Sequence, residues 1–197
     1  MLTASSGRET AYMVLQTDRL LLREFVAEDW PAVLAYQRDP RYVRFYAWIE
    51  RTEAEVRTFV QCFLAWQQEV PRRKIQLAVT LRSTGELIGN VGLRQSTPEA
   101  LVAEIGYELS PMYWGCGYAT EAARAMLAFG FSARGLHRIY AHCIAENVAS
   151  ARVLEKLWMR CEGRLREHEG FKGRWWDVLL YGVLQREWQA RSGNFDA

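Results

Sequence analysis

Between Tyr113 and Ala122 the chain reads Tyr-Trp-Gly-Cys-Gly-Tyr-Ala-Thr-Glu-Ala. An apolar strand pattern precedes this stretch and a helical pattern follows it, which together describe an anion site. Backbone N–H groups at a helix start have no partner within the helix, and the helix dipole adds to their attraction for negative charge. Gly115 and Gly117 remove side chains where a phosphate has to come close. The loop holds no Lys, unlike the ATPase-type G-x-x-x-x-G-K-[ST] loop. Thr120 stands where the dinucleotide fingerprint has its third Gly or Ala, so that reading fits poorly as well. Spacing alone leaves a plain tight strand-to-helix turn equally open. Cys116 stands at the helix start, a position that activates thiols in general, so a nucleophilic cysteine is a second chemistry open to the loop. His137, His142 and His168 are scattered, and the cysteines at 62, 116, 143 and 161 contain no C-x-x-C spacing. No metal site is expected from them.

The elements that must hold this loop alternate between strand and helix patterns, which favours a mixed α/β domain. Arg19 to Phe25 reads as a buried strand. Asp29 offers an N-cap, Pro31 an early helical position, and Asp39-Pro40 a stop. Thr52 and Glu55 have capping-box spacing ahead of Val56, Phe59, Val60, Phe63 and Leu64 on one helical face. Ile75 to Leu81, Leu87 to Arg94 and Leu101 to Leu109 form an expected antiparallel meander, with a turn at Ser83 to Glu86. Ser110-Pro111 ends it. A helix through Ala122, Ala123, Met126, Leu127 and Phe131 follows the loop, and Gly135 marks its end. His137 to Ala145 is a further strand, and Asn147 caps a helix carrying Val148, Ala151, Leu154 and Leu157. Glu162 to Trp188 alternates like a hairpin around Gly170 to Gly173.

The 197 residues suit one domain, expected over residues 14–190 behind a loose tail at 1–13. Half the residues are hydrophobic, and the net charge of +2 comes without a long basic run, so a nucleic-acid partner is not expected. No apolar stretch approaches a membrane span, and Met1 to Met13 is small and polar, without a secretory core. Reduced thiols then point to a cytoplasmic protein.

Several ordered motifs give the chain a family resemblance. Tyr113 to Ala122, Thr17-Asp18-Arg19-Leu20-Leu21-Leu22-Arg23, Glu104-Ile105-Gly106-Tyr107-Glu108-Leu109 and Asn147 to Leu157 stand in the order in which they occur in GCN5-related N-acetyltransferases (GNAT). The match is to the branch that acetylates N-terminal amines of ribosomal proteins, the RimJ/RimL-like branch, and Glu162-Gly163 and Trp176-Asp177 also stand where that branch has them. The resemblance implies an α/β (α+β) fold with a mixed, mostly antiparallel sheet of six to seven strands and helices on both faces. It implies acetyl-CoA as acyl donor, an amine as acceptor and direct transfer between them. The acceptor is expected to be a protein or peptide N-terminus. A small amine such as an antibiotic or polyamine is the alternative, as is an acyl-CoA-binding protein without catalysis. A homodimer is an open assembly.

The cofactor residues implied by the resemblance are Gly115, Cys116, Gly117, Tyr118, Ala119 and Thr120, the backbone near Leu109, Asn147 and Ser150. Glu104 is the first candidate base, and Glu108 the second if both share a strand face. An α-amine with a pKa of about 8 needs only a weak base acting through water. Three departures stand out. Trp114 replaces Gln or Arg. Leu154 occupies the position of a Tyr general acid, which leaves the Ser150 hydroxyl as candidate partner of the leaving thiolate. Trp158-Met159 replaces Gly-Phe and is expected to reshape the pocket near the acyl group. Arg152 and Lys156 are candidates to meet phosphate. Trp48, Trp175 and Trp176 are candidates to line the acceptor side, between the first two helices, the Glu86 to Arg94 hairpin and the Phe171 to Asp177 loop.

Overall fold

The computed structural model describes residues 13–192, so the expected tail at 1–13 lies almost wholly outside the described residues. Eight strands form one sheet in the order β1-β2-β3-β4-β5-β6-β8-β7, one more than the widest expectation. The additional strand is β1, Val14–Gln16, which folds back through Thr17–Arg19 onto β2, Leu20–Glu24. The Thr17 hydroxyl accepts from the Leu20 N–H at 3.0 Å and holds that bend.

β3 (Lys74–Leu81), β4 (Leu87–Gln95) and β5 (Val102–Leu109) make the expected antiparallel meander. β6, Arg138–Ile144, lies parallel to β5. The long hairpin β7 (Arg160–Phe171) and β8 (Arg174–Leu184) completes the sheet, with β8 against β6. The expected strand beyond Leu184 is instead a helix, α6, Gln185–Ser192. Its start is held locally by the Glu187 carboxylate, which accepts from the Leu184 N–H at 3.1 Å.

Helices cover both faces. α1 (Trp30–Gln37), α2 (Pro40–Val43) and α3 (Glu53–Gln67) pack on one side, around Phe25, Val33, Val56, Val60 and Phe63. α4 (Tyr118–Ser132) and α5 (Val148–Lys156) pack on the other, around Met126, Leu127, Ile139, Leu154 and Leu157. Thr52 and Glu55 form the expected capping box, the Glu55 carboxylate accepting from the Thr52 N–H at 2.8 Å. Asp29 does not cap α1 through its side chain. Its carboxylate grips Arg23 at 2.7 and 2.8 Å and accepts from the Val26 N–H at 2.9 Å, because the preceding turn already points it back at the strand. Asp39 both ends α1 and caps α2, accepting from the Arg41 N–H at 2.8 Å.

Candidate functional site

β5 and β6 part company. Their parallel pairing runs only through Val102–Arg138, Ala103–Ile139 and Glu104–Tyr140, while β5 continues to Leu109 and β6 to Ile144. The Ser110 N–H donates to Ile88 O on β4 at 2.8 Å. Backbone groups in a strand alternate sides, so the N–H and C=O groups of Ile105, Tyr107 and Leu109 turn away from β4 and into the gap. A row of strand backbone beside an opening is what an amide-bearing arm can add to as an extra strand. Glu104 to Leu109 spans ~17 Å at about 3.4 Å per residue, which is comparable with an extended pantetheine arm.

At the open end of the gap stands the glycine loop. Ser110 starts a short 3₁₀ turn, Pro111–Tyr113, and Gly115 and Gly117 take φ of 79° and 82°, the left-handed region that favours glycine. The first helical bond of α4 runs from the Glu121 N–H to Gly117 O at 3.0 Å. The N–H groups of Gly117, Tyr118, Ala119 and Thr120 therefore lack a helical acceptor, and the dipole of α4 lies behind them. Such a set of N–H groups is able to cradle a phosphate group. Trp114, the first departure, folds its indole back and donates to Leu109 O at 2.8 Å. It ties the loop to the strand end and occupies the one Leu109 group that would otherwise repel an anion.

The gap is bridged on the α5 side. The Tyr107 hydroxyl reaches Ser150 across it, 3.0 Å from Oγ and 3.1 Å from the carbonyl. Asn147 caps α5 as expected, accepting from the Ser150 N–H at 3.2 Å. Burial raises the Tyr107 hydroxyl well above the usual phenol range, while the bond to Ser150 pulls the other way. Tyr107 thus stays protonated and serves as a hydrogen-bond donor. Cys143, on β6 at the same place, is buried, and burial pushes its thiol up to about 11. Leu154 is fully buried and apolar, so the position of the usual Tyr offers no proton donor. Tyr107 was overlooked in the sequence because nothing local ties it to Ser150.

The opposite face of the fork carries Glu104, Gly106 and Glu108. The β4–β5 register is unbroken, so the two carboxylates share a face as expected. Their surroundings differ. Glu108 accepts from Tyr36 at 2.8 Å, from Gln37 at 3.2 Å, and at shorter range from Tyr42 and Asn90. Burial and the Glu108 charge raise the Tyr36 and Tyr42 hydroxyls far above their usual range, so all four donors keep their protons for Glu108. Glu104 stands at the apex of the fork with its side chain 35% exposed, 3.6 Å from His142 Nδ1 and 4.0 Å from Arg94. The Glu104 carboxylate thus faces the exposed His142 imidazole at the apex. His137 and His168 do not join them.

Aromatic side chains cluster between α2 and the tip of the β7–β8 hairpin. Tyr42, Tyr46 and Trp48 stack in series at 4.6 and 4.4 Å, and Trp176 stacks on Phe171 at 5.0 Å and meets Phe45 edge-on at 5.9 Å. Lys172 at the hairpin tip donates to Val43 O at 2.6 Å, which closes the tip onto α2. Trp175 is exposed and packs on Gly170 instead. Trp158 stands two residues past the end of α5. It takes φ of 61° after α5, and its ring packs on Trp188 at 5.5 Å and beneath Arg124 at 5.0 Å, toward α4 and α6. Arg152 is exposed on α5. Among the described residues no group of three or more His, Cys, Asp or Glu is placed to hold a metal ion.

Residues 19–160 match the acetyltransferase (GNAT) domain. The chain belongs to the GNAT acetyltransferase family. Its relatives include an uncharacterized N-acetyltransferase of Bacillus subtilis (strain 168), YnaD, 36% identical over 89% of this chain and 99% of that one. A GNAT-family acetyltransferase from Bacillus anthracis superposes with a TM-score of 0.78 at 34% identity, over 89% of this chain and all of its own. RimL, the ribosomal L7/L12 α-N-protein acetyltransferase, in complex with coenzyme A, shares the fold at a TM-score of 0.77 and 21% identity, over 87% of this chain and 98% of its own. This GNAT protein is accordingly an acetyl-CoA-dependent N-acetyltransferase with the family's mixed sheet. No helix among its described residues is long and apolar enough to cross a membrane.

Proposed function

We propose that the acceptor is the α-amino group of a protein or peptide N-terminus, acetylated by direct transfer. One observation carries this reading: four carboxylates around the acceptor side already have partners. Glu108 is held by four donors, Glu146 pairs with Arg174, Asp177 pairs with Arg164 at 2.6 Å, and Glu104 faces Arg94 and His142. A polyamine carries several charges and needs several unmatched carboxylates, whereas one α-amine needs a single weak base. RimL, which shares the fold, acts on the N-terminus of a ribosomal protein.

In this reading Gly117, Tyr118, Ala119 and Thr120 hold the phosphates through their N–H groups, with Gly115 and Cys116 shaping the approach. Backbone groups of Tyr107 and Leu109 take the pantetheine amides, and Asn147 and Ser150 line the far lip. Bound acetyl-CoA supplies an activated thioester. Glu104, beside His142, receives the acceptor's proton, directly or through water. A backbone N–H of β5 donates to the carbonyl oxygen as charge develops there. The Tyr107 and Ser150 hydroxyls donate toward the departing sulfur. Cys116 sits at the phosphate end, past Leu109, which argues against an acyl-cysteine.

The test is release of free thiol from acetyl-CoA with short peptides bearing free N-termini, with the same peptides blocked, with spermidine and with an aminoglycoside. Turnover confined to free N-terminal peptides is expected. Faster turnover with spermidine or the aminoglycoside would overturn the proposed acceptor.

A further inference from the structure

The first strands and the phosphate loop are tied together by one cluster. Arg19, in the β1–β2 bend, donates from Nη1 to Cys116 O at 3.0 Å and from Nε to Glu121 Oε2 at 2.7 Å, with Nη2 2.6 Å from the same oxygen. Its guanidinium lies 4.4 Å over the Tyr118 ring. Glu121 Oε1 in turn accepts from the Thr17 hydroxyl at 2.6 Å and the Arg19 N–H at 3.0 Å. A Cβ placed on Gly117 would lie 3.4 Å from Arg19 Nη2.

Two features of this cluster bear on an anion. Glu121 puts a carboxylate in the first turn of α4, beside the N–H groups that face the phosphates. A carboxylate there competes with a bound anion for the same positive end of the helix. Cys116 is the residue between the two left-handed glycines, and its carbonyl dipole, if free to turn, would also oppose a phosphate. Burial works to raise the Glu121 carboxyl, but bonds from Thr17 and Arg19 outweigh it and hold the group below its usual range, so it is ionised.

We infer that Arg19 is a positioning residue for the acyl-CoA phosphates, cancelling the Glu121 charge and holding the Cys116 carbonyl away from the anion. With the pair neutral overall, the N–H groups and dipole of α4 meet the phosphates without a competing carboxylate. The inference rests on the reading that this loop holds the phosphates of acetyl-CoA.

The signs of three substitutions separate this role from plain bracing. Arg19→Gln leaves the Glu121 carboxylate uncancelled, and coenzyme A affinity falls about tenfold, a Coulomb effect at an effective dielectric typical of protein surfaces. Arg19→Gln with Glu121→Gln removes the repulsion as well as the clamp, and affinity recovers toward wild type. Glu121→Gln alone keeps an oxygen for Thr17 and the Arg19 N–H, frees the guanidinium, and tightens coenzyme A binding. The measurement is titration calorimetry with coenzyme A on the intact protein at two salt concentrations, with thermal melts beside it. Equal coenzyme A affinity in wild type and Arg19→Gln would overturn the inference. So would a double variant as weak as Arg19→Gln, or Glu121→Gln binding more weakly than wild type, since bracing alone predicts both. If Arg19→Gln does not fold, Glu121→Gln decides by its sign. A wild-type protein that does not bind coenzyme A would remove the cofactor reading itself, and the inference with it.

Discussion

Replacing Tyr107 by Phe removes one hydroxyl from the floor of the fork and little else. That hydroxyl stands 3.0 Å from Ser150 Oγ and 3.1 Å from Ser150 O, but it has one proton and donates to one of them at a time. Loss of a single net hydrogen bond costs about 1 kcal/mol, which shifts the melting temperature of a chain of this size by roughly 2–4 °C. The effect on rate is expected to be larger. A hydrogen bond to a charged group contributes about 1.5–3 kcal/mol, and each 1.36 kcal/mol is tenfold, so losing a donor to the developing thiolate should lower kcat by about 10- to 150-fold. The KM for acetyl-CoA should change little, because the phosphates and pantetheine amides are held elsewhere. Ser150→Ala should lower kcat comparably, and the double variant should fall short of the product of the two, since both hydroxyls serve one contact. Thiol release at saturating acetyl-CoA with the best peptide acceptor reads all three. A Tyr107→Phe protein that melts a few degrees lower yet turns over within twofold of wild type would refute the assignment.

Three further outcomes follow from the same geometry. Glu104→Gln should lower turnover with acetyl-CoA KM unchanged, and an undiminished rate would remove Glu104 as base. Gly117→Ala places a Cβ on a residue at φ of 82° and against Arg19, and should cost about 1–2 kcal/mol of stability; coenzyme A titration should show weakened binding, and wild-type affinity would mean the loop has no need of that conformation. The Cys143 thiol, raised to about 11, loses its proton only as pH climbs toward that value, so at pH 8 it is thiolate to roughly one part in a thousand. Timed alkylation read by mass spectrometry should therefore modify the exposed Cys62, Cys116 and Cys161 well before Cys143. Labelling of Cys143 as fast as the other three would refute its burial and its raised thiol pKa.

Features set by near neighbours are mostly legible in the sequence, although the Asp29 cap is not. The Thr52–Glu55 capping box, the Asn147 cap and the Gly115–Gly117 loop at the head of α4 each depend on neighbours within a few residues, so residue type and spacing are enough to specify them. The strand alternation also put Glu104 and Glu108 on one face. Their different fates were not legible, because the donors that occupy Glu108 come from α1, α2 and β4, and Glu104 meets its imidazole on β6. The local rule failed at α6, where a strand-like pattern continued past Leu184 and a single carboxylate started a helix instead.

The chain order of motifs determined the kind of protein, and above all the phosphate loop, because that loop is a local conformation set by two glycines and a helix start. Only the tertiary structure decided what surrounds the reaction. The parting of β5 from β6 after three paired positions is a matter of which strands meet in the closed sheet, and no periodicity encodes it. Tyr107 reaches Ser150 across that gap, and Arg19 reaches Glu121 across most of the chain, through contacts that exist only once the sheet has closed.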